Sequence, residues 1–447
     1  MRIFFFMLCV TGFFWSTAPQ ADARENFDYK LQINLERSAL DGLSLGDDPT
    51  ADRKVEEDYE IEFTLEYQVS DDLYLFFSGA LKDESETIET IGRKQEVAGL
   101  ERKEIGVGYI FGKEIPSHLR FGRSQFVSTS EWWLWWDEEL DSIRLNSSYG
   151  DFEVMLGLAQ ELARESTGVD FINPEIDDVK RVLLSLAWEF ADDQSLILYY
   201  LDQSDESRSF NVGEFEDADK LDEEDAALSW AGISYIAGFD IHAVGDLELE
   251  LHAARVRGDE TVYEFDDPVA GRSEVVEREQ HRVSGSAYGI LLSWTPAALD
   301  DWTLILGNAR GSGDSNPNDN RNKSFRQTGL EGDSESFGEL YQPGLSNLEV
   351  DVIGVEWQIA EGVEVALMGY EYEQRELAAT MRDVSIELDP SGTSRELGRE
   401  IDLIVTIEAR AGLELIITAA EFDAGKAYGA SSRETSNFIN FELGYEF

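Results

Sequence analysis

Residues 436–447 read S-N-F-I-N-F-E-L-G-Y-E-F, and this stretch decides the fold class of the chain. Successive side chains of a β-strand point to opposite faces, so every second residue from Ile439 to Phe447 shares one apolar face. The intervening residues, from Asn440 to Glu446, share a polar face. An apolar face, a polar face and a terminal aromatic residue are typical of a strand that separates lipid from water in an outer-membrane β-barrel. An edge strand of a soluble β-sandwich is the alternative for this stretch alone.

The opposite end of the chain has the features of a secretory signal. Met1 and Arg2 precede an apolar run over residues 3–15, and Ala21 and Ala23 supply small residues for cleavage. We expect a signal peptide over residues 1–23 and a single barrel domain over residues 24–447. Cys9, the one cysteine of the sequence, lies in the signal, which excludes disulfides, cysteine-ligated metals and thiol nucleophiles from the mature chain.

The composition is strongly acidic. The 447 residues include 36 Lys and Arg against 92 Asp and Glu, a formal net charge of −56. This charge argues against nucleic acid and anionic lipid surfaces as partners, although adaptation to a salty medium would also explain it. No linker divides the sequence, and after the signal no apolar run of about 20 residues could cross a bilayer as a helix. A membrane-spanning mature chain must therefore cross as strands.

Alternation continues through the whole chain, most regularly over residues 59–69, and predicts an all-β, transmembrane antiparallel barrel of about eighteen strands. The predicted strands lie near residues 27–36, 58–69, 73–82, 99–111, 117–126, 141–148, 151–163, 180–190, 194–204, 226–238, 246–257, 283–295, 301–310, 346–359, 363–375, 398–410, 412–424 and 435–447.

Short and long connections between the predicted strands alternate along the chain. Tight turns such as residues 70–72 and 191–193 predict a trimmed periplasmic rim, and long polar loops predict an elaborated extracellular rim. A soluble propeller is disfavoured because no four-strand repeat of fixed period is present. The predicted loops include residues 37–57, 83–98, 164–179, 205–225, 258–282, 311–345 and 376–397.

Alternation also predicts which side chains line the interior. If Ile105 and Val107 face lipid, then Arg102 and Glu104 face inward, and the same counting places Arg144 and Arg181 inside. The predicted interior is polar and carries both charge signs. A barrel of about eighteen strands is too wide for side chains to fill, so a water-filled channel is expected unless a loop enters it. For each inward arginine, a salt bridge to a neighbouring carboxylate is the alternative to a substrate contact.

Several blocks of sequence resemble the alginate export family of outer-membrane proteins in order and spacing, and together they spread over most of the mature chain. The blocks are G-S-G-D at 311–314, S-F-R-Q-T-G-L at 324–330, F-G-E-L at 337–340, P-G-L-S-N-L at 343–348, F-G-R-S-Q-F at 121–126, L-G-R-E-I-D-L at 397–403 and E-F-D-A-G-K-A-Y at 421–428.

The resemblance implies an eighteen-stranded barrel that passes a negatively charged exopolysaccharide outward through an arginine-rich constriction. Arg326 and Arg123 are candidate substrate contacts because they lie in the family blocks. Arg102, Arg144 and Arg181 are candidates because counting alternate residues along their strands, here called parity, places them inside. Simple parity would aim Arg123 at lipid, so a substrate contact there requires a bulge near Gly122 or a position above the bilayer. A guanidinium suits the role because its planar fork matches a carboxylate.

We therefore expect a monomeric exopolysaccharide pore in the outer membrane, in contact with lipid and served by periplasmic proteins that deliver the polymer. A diffusion porin for small solutes is the alternative, because the predicted interior holds about as many carboxylates as cations. A barrel enzyme is a third class, but no catalytic residue, cofactor or regular metal site is predicted. The four histidines lack ligand spacing, residues 285–289 miss the G-x-S-x-G elbow, and residues 314–325 miss two calcium-loop positions.

The tryptophan-rich stretch at residues 132–136, W-W-L-W-W, is the most unusual local cluster. The rings could belong to the aromatic girdle or pack a loop onto the rim. They could instead form a stacking platform for sugar rings, with Glu131 and Asp137 as hydrogen-bonding neighbours.

Overall fold

The computed structural model of the protein describes residues 26–45, 53–88, 92–128, 135–169, 171–205, 207, 209–218, 220–316, 319–330, 337–409, 412–429 and 435–447. The predicted signal peptide at residues 1–23 lies outside these ranges and stays a prediction. In these ranges, no helix is both long enough and apolar enough to cross a membrane.

The regular secondary structure of the described chain is almost entirely β-strand. Its strands are β1 Phe27–Asp41, β2 Arg53–Ser70, β3 Leu73–Ile88, β4 Arg93–Phe111, β5 Ser117–Val127, β6 Asp137–Tyr149, β7 Phe152–Gln160, β8 Val179–Ala191, β9 Gln194–Asp205, β10 Phe215–Asp217, β11 Glu224–Ile241, β12 Gly245–Phe265, β13 Arg272–Pro296, β14 Trp302–Gly311, β15 Arg321–Asn322, β16 Leu348–Ala360, β17 Val363–Gln374, β18 Glu396–Ala409, β19 Leu413–Ala424 and β20 Thr435–Glu446.

All strands except the short β10 and β15 form one closed antiparallel wall. Each wall strand pairs with its neighbour along the chain, and β20 pairs with β1 from Asn437↔Asp41 to Glu446↔Gln32. Closure leaves no strand edge without a hydrogen-bonding partner, which the interior of a bilayer requires. The predicted barrel and all of its predicted strands are confirmed.

The wall has an apolar outer face and a polar inner face, as alternation requires. On β18, Ile401 is 60% exposed, whereas its neighbours Glu400 and Asp402 are at most 1% exposed. On β20, Ile439 and Phe441 are also exposed. Because the exposed residues are apolar and the covered ones are acidic, the outer face suits lipid and the carboxylates point into the barrel.

Three hairpins are longer than the sequence predicted. The β1–β2 ladder continues to Asp41↔Arg53, so both ends of the loop predicted at 37–57 are strand. The β3–β4 ladder continues to Ile88↔Arg93 and the β12–β13 ladder continues to Phe265↔Val275, so the loops predicted at 83–98 and 258–282 are largely strand. Above the lipid both faces of a strand meet water or protein. The hydrophobic alternation then disappears, although backbone pairing continues.

The long connection between β14 and β16 turns into the barrel. Phe325, Leu330, Tyr341 and Leu345 of this segment are buried in the main apolar core. On one side the Trp230 Nε1–H donates to the carbonyl of Arg326 at 2.8 Å, and the Asp137 N–H donates to that of Leu330 at 2.5 Å. The described part of residues 312–347, named here the lumen segment, therefore fills part of the channel.

The opposite wall holds the lumen segment through the carboxylate of Glu400. This carboxylate accepts the backbone N–H of Leu340 at 2.7 Å and that of Tyr341 at 2.9 Å. The Tyr341 ring stacks on Phe422 with centroids 4.6 Å apart, and its hydroxyl lies 2.7 Å from that of Tyr428. Each buried polar group of this contact has a partner, which stabilises one position of the segment.

Candidate functional site

The lumen is the candidate functional site, and one group of inward cations is built on β3 to β6. Gly106 and Gly108 face inward, where an added Cβ would lie 2.7 Å from Phe76 and 2.1 Å from Tyr74. The glycines let these two rings lie flat on the wall. The Arg120 guanidinium then sits over Phe76, 4.6 Å from the ring centroid. Small residues on β4 therefore position a cation on β5.

Arg120 and Arg144 lie directly opposite each other on β5 and β6, on the inner face. Arg120 forms an ion pair with Glu104 at 3.3 Å. Arg144 lies over Phe126, donates to the carbonyl of Gln125, and has no carboxylate within ion-pair distance in the described chain. Arg144 lies on the inner face, where alternation placed it, and its contact with a substrate stays a prediction. Two adjacent guanidinium groups with one carboxylate leave net positive charge at this point of the wall.

Arg181 also lies on the inner face, on β8. Its Nε donates to the Gln203 side chain at 3.2 Å, and the residue is 6% exposed. No ion pair to Arg181 is present among the described residues. Alternation predicted this inward position, the side chain is largely buried there, and a substrate contact stays a prediction.

Arg326 lies on the lumen segment and joins it to the wall. Its guanidinium pairs with Glu224 of β11 at 2.6 Å and with Glu260 of β12, and Arg382 lies 3.4 Å from the same Glu224. Arg326 is 7% exposed. Sequence reasoning missed both carboxylates, because Glu224 and Glu260 lie in stretches predicted as loops. The salt bridge weighed as the alternative to a substrate contact is present.

A cavity of about 800 Å³ adjoins this ion-pair network. It lies between the inner faces of β9 and β11 and the lumen segment. Arg326 and Arg382 line it together with Glu138, Glu175 and Glu224. The cavity thus presents both charge signs to anything that passes the segment, as the sequence predicted for the interior.

The inward direction predicted for Arg102 is wrong. The β3–β4 register steps from Ser78↔Glu104 to Gly79↔Arg102, so Lys103 is an extra, bulged residue. One extra residue reverses the parity of every residue beyond it. Arg102 therefore shares the outer face with Gly79, and its guanidinium pairs with Asp141 at 3.0 Å.

Arg123 lies on the same outer face. It is opposite Asp141 and Ile105 in register, although Gly122 beside it has a positive φ of 129°. The segment after β7 covers it, and its guanidinium pairs with Glu161 at 2.7 Å and with Glu165 at 3.4 Å. Simple parity was correct, and a buried ion-pair cluster on the outside of the wall holds both Arg102 and Arg123.

The described part of the tryptophan stretch packs the interior. Trp135 and Trp136 are at most 2% exposed, and Trp135 stacks on Tyr199 with centroids 4.9 Å apart. Its carbonyl accepts the hydroxyl of Thr328 at 2.6 Å. Trp135 thus holds the lumen segment through its backbone, and both rings are too buried to offer a free face to a sugar. Trp132, Trp133 and Glu131 lie outside the described residues.

One constellation that the sequence did not predict is a hydrogen-bonded chain of Ser234, His252 and Glu250. The Ser234 hydroxyl lies 2.8 Å from His252 Nδ1, and His252 Nε2 lies 3.0 Å from the Glu250 carboxylate. The order resembles a hydrolase triad. Ser234 is 1% exposed, so its hydroxyl is closed to a polymer, and we interpret the chain as a satisfied polar contact between β11 and β12.

Asp205, Asp222 and Asp225 lie together near the long-loop rim, with carboxylate oxygens within 4.8 Å of one another. Burial raises the pKa of Asp222, which lies in the connection between β10 and β11, to about 7. Oxygen donors of this kind suit calcium or magnesium. Asp205 of this group also lines the cavity beside Arg326 and Arg382.

Comparisons with known proteins agree on the architecture. Solved barrels of Pseudomonas aeruginosa superpose on nearly the whole chain. OccK5 (OpdH) gives a TM-score of 0.57 and 12% identity, and the match covers 95% of this chain and 98% of that one. OprD gives a TM-score of 0.55, 12% identity and coverage of 94% and 93%. OpdK with vanillate gives a TM-score of 0.56, 11% identity and coverage of 95% and 99%. At these identities the likeness shows the fold alone.

Sequence comparison identifies the family of barrels to which the chain belongs. The alginate production protein AlgE of Pseudomonas aeruginosa is 24% identical over 348 residues, which cover 74% of this chain and 68% of that protein. A family model described as alginate export matches residues 63–442. This match includes every block on which the resemblance was based, and the chain accordingly belongs to the alginate export family of outer-membrane β-barrel proteins.

Proposed function

We propose that this outer-membrane barrel is the exit pore for an acidic, alginate-like exopolysaccharide, and that Arg144, Arg181 and Arg326 guide the polymer. Family membership supports an export pore, and the name of AlgE supports alginate as the class of cargo. The observation that carries the proposal is Arg144, an inward guanidinium beside Arg120 with no carboxylate of its own in the described chain.

The Arg120–Arg144 pair provides an electrostatic reason for passage of a polyanion. Two like charges on adjacent strands repel each other, and a single carboxylate at Glu104 compensates for only one of them. A uronate carboxylate of the polymer can compensate for the other. Because the lumen is aqueous, each contact is weak and the chain can move on to the next one.

The Arg326 network suggests how the lumen segment responds to the polymer. Glu224 and Glu260 occupy the positions that polymer carboxylates would take on Arg326 and Arg382. Exchange of one carboxylate for another preserves the charge balance of the buried arginine. Polymer in the cavity would therefore compete with the wall for Arg326 and loosen one anchor of the lumen segment.

The experiment is block of single-channel current in planar bilayers by a short oligouronate, compared with a neutral oligosaccharide of equal length. The variant Arg144→Gln should weaken oligouronate block about tenfold, the loss of one charged hydrogen bond of about 1.5 kcal/mol. Arg399→Gln is the matched control, because Arg399 is exposed on the outer face and pairs with Glu371 at 2.7 Å. Block by the neutral oligosaccharide should stay the same in all proteins.

Equal oligouronate block in the wild type and in Arg144→Gln would contradict the arginine guide. A diffusion porin remains the rival function, since the OpdK structure holds the small molecule vanillate in a similar fold. A gene deletion distinguishes the two. Loss of released polysaccharide with unchanged uptake of small solutes supports export, and the reverse result supports the porin.

The proposal includes delivery proteins on the periplasmic side and a monomeric barrel. The rim of short turns carries Asp71, Asp72, Asp192 and Asp193, so a partner that docks there needs a basic surface. Chemical crosslinking at these turns in the producing cell would identify the partner, and the mass of the purified barrel in detergent would test the monomer.

A further inference from the structure

A basic groove lies on the outer surface of the wall, in a protein whose net charge is −56. The groove has a volume of about 490 Å³, and its charged lining is Arg255, Arg257, Arg282, Arg321 and Lys323 with a single carboxylate, Asp259. It is formed by β12, β13 and the short β15, which pairs parallel with β13 at Arg282↔Arg321. Five cations against one carboxylate reverse the charge balance of the chain at this place.

Strand register places these arginines on the outer face. On β12, His252, Ala254 and Val256 are buried towards the lumen, whereas Leu251 is exposed on the outside. Arg255 and Arg257 have the parity of Leu251. On β13, Arg282 has the parity of the exposed Tyr288 and Ile290. The groove is therefore separate from the polymer path inside the barrel.

The groove also lies at a defined height on the wall. Ala253 is paired with Tyr288. Arg255 is paired with Ser286, which is the next pair on the outer face in the direction of the long loops. Exposed aromatic residues such as Tyr288 mark the boundary of the hydrocarbon layer in outer-membrane barrels. Two residues of strand rise about 7 Å, so the arginines begin where the polar headgroups of the outer leaflet begin.

The groove arginines differ from four exposed arginines elsewhere in the described chain. Arg37, Arg375, Arg395 and Arg399 each have a carboxylate within 3.5 Å. Within the described ranges, no ion pair is present for Arg255, Arg257, Arg282 or Arg321, although most of the ionised residues of this protein are acidic. The neighbouring like charges repel one another, and Asp259 together with the Asp314 carboxylate, 3.9 Å from Lys323, compensates for only part of them.

We propose that this groove binds the phosphorylated headgroup of an outer-leaflet glycolipid. Phosphate is the anion that several guanidinium forks bind best, and a headgroup with more than one phosphate matches a row of arginines at fixed strand spacing. The acyl chains of such a lipid would lie on the apolar wall below Tyr288. The net charge of the protein argued against anionic lipid surfaces as partners. Binding depends on the charges within a Debye length, however, so a local group of arginines can bind an anionic headgroup.

The test measures how much phosphorylated glycolipid the purified barrel retains after detergent exchange. The variant is Arg255→Gln/Arg257→Gln/Arg282→Gln, and the control is Arg375→Gln/Arg395→Gln/Arg399→Gln, which removes the same charge from paired arginines. Each headgroup contact changes affinity about fivefold, so the groove variant should bind about a hundredfold more weakly. The control should bind as the wild type does. Unchanged heat-modifiable mobility in SDS gels verifies that both variants fold.

Two further arms separate a lipid site from a simple anion site. The same glycolipid without phosphates should bind the wild type as weakly as the intact lipid binds the groove variant. Inorganic phosphate, at the concentration of lipid phosphoryl groups, should not displace the lipid. Equal retention by the wild type and the groove variant, or full displacement by inorganic phosphate, would overturn the proposal.

Discussion

Glycine residues of the inner wall determine where the large rings of the interior can lie. Gly232 on β11 is the clearest case, because a Cβ there would meet the Trp135 ring at 2.0 Å and the Ala253 carbonyl oxygen at 2.8 Å. Trp135 in turn holds Thr328 of the lumen segment. A single hydrogen atom as side chain at residue 232 therefore allows the aromatic contact that anchors the segment.

We expect Gly232→Ala to destabilise the barrel, because the added methyl group must displace the Trp135 ring. The expected loss is about 1–3 kcal/mol of unfolding free energy, as for other overpacked sites. Urea unfolding of the barrel in lipid vesicles measures it. Gly369→Ala is the matched control, since Gly369 also lies in a strand and a Cβ there has its nearest neighbour at an ordinary 3.5 Å. Equal stability of the two variants would contradict this account.

At the residue scale, the sequence identified inward arginines correctly wherever the strand was regular. Arg144 and Arg181 follow simple alternation. Arg102 does not, because the bulge at Lys103 inserts one residue into β4. A bulge depends on the pairing of two strands, so it has no signature in the alternation of one strand alone.

At the scale of elements, the lumen segment is the feature that separates this molecule from an open pore. Its two ends are held close together, because the Ser312 carbonyl accepts the N–H of Phe325 at 2.8 Å and that of Asn347 at 3.1 Å. The chain between these points is therefore a closed excursion from the wall. Removing it need not disturb the pairing of β14 with β16.

Replacement of residues 326–346 by a short Gly-Ser linker should raise single-channel conductance roughly twofold or more, because the lumen of a barrel this wide is otherwise aqueous. Thermal stability should fall, since the segment buries Leu330, Tyr341 and Leu345. Replacement of residues 267–270, at the tip of the β12–β13 hairpin, is the control and should leave conductance unchanged. An excised barrel with wild-type conductance would show that the segment does not restrict flow.

The lengths of the elements show where sequence patterns stop being informative. Alternation predicted every wall strand because lipid lies on one side and water on the other. It failed at the upper parts of β1 to β4, β12 and β13, which lie beyond the lipid, and at the short strands β10 and β15, which have three and two residues. Backbone hydrogen bonds continue in these places without any pattern in the side chains.

At the scale of the whole molecule, the barrel depends on one closing contact between the two ends of the described chain. β20 completes the ring by pairing with both β19 and β1. Without it, β1 and β19 would each expose a row of unpaired backbone groups. Such groups cannot be satisfied in the hydrocarbon layer.

Deletion of residues 436–447 should therefore prevent formation of a stable barrel. We expect no heat-modifiable band in SDS gels after refolding into detergent micelles, and a loss of the β signal in circular dichroism. Phe447→Ala is the control, because Phe447 lies beyond the last residue of β20 and its ring is 63% exposed. A compact, heat-modifiable band from the deletion would show that the remaining strands can close without β20.

The sequence by itself determined the barrel, its strands and the polar character of its interior. Apolar and polar residues alternate in each wall strand because one face meets lipid and the other meets water. The tertiary structure alone decided the course of the lumen segment and the positions of Arg102 and Arg326. It also decided that a groove rich in arginine forms on the outer wall. These features depend on contacts between residues far apart in the chain, such as Arg326 with Glu260. No periodic pattern records such contacts, because they form only when loops and strands from different parts of the chain pack together.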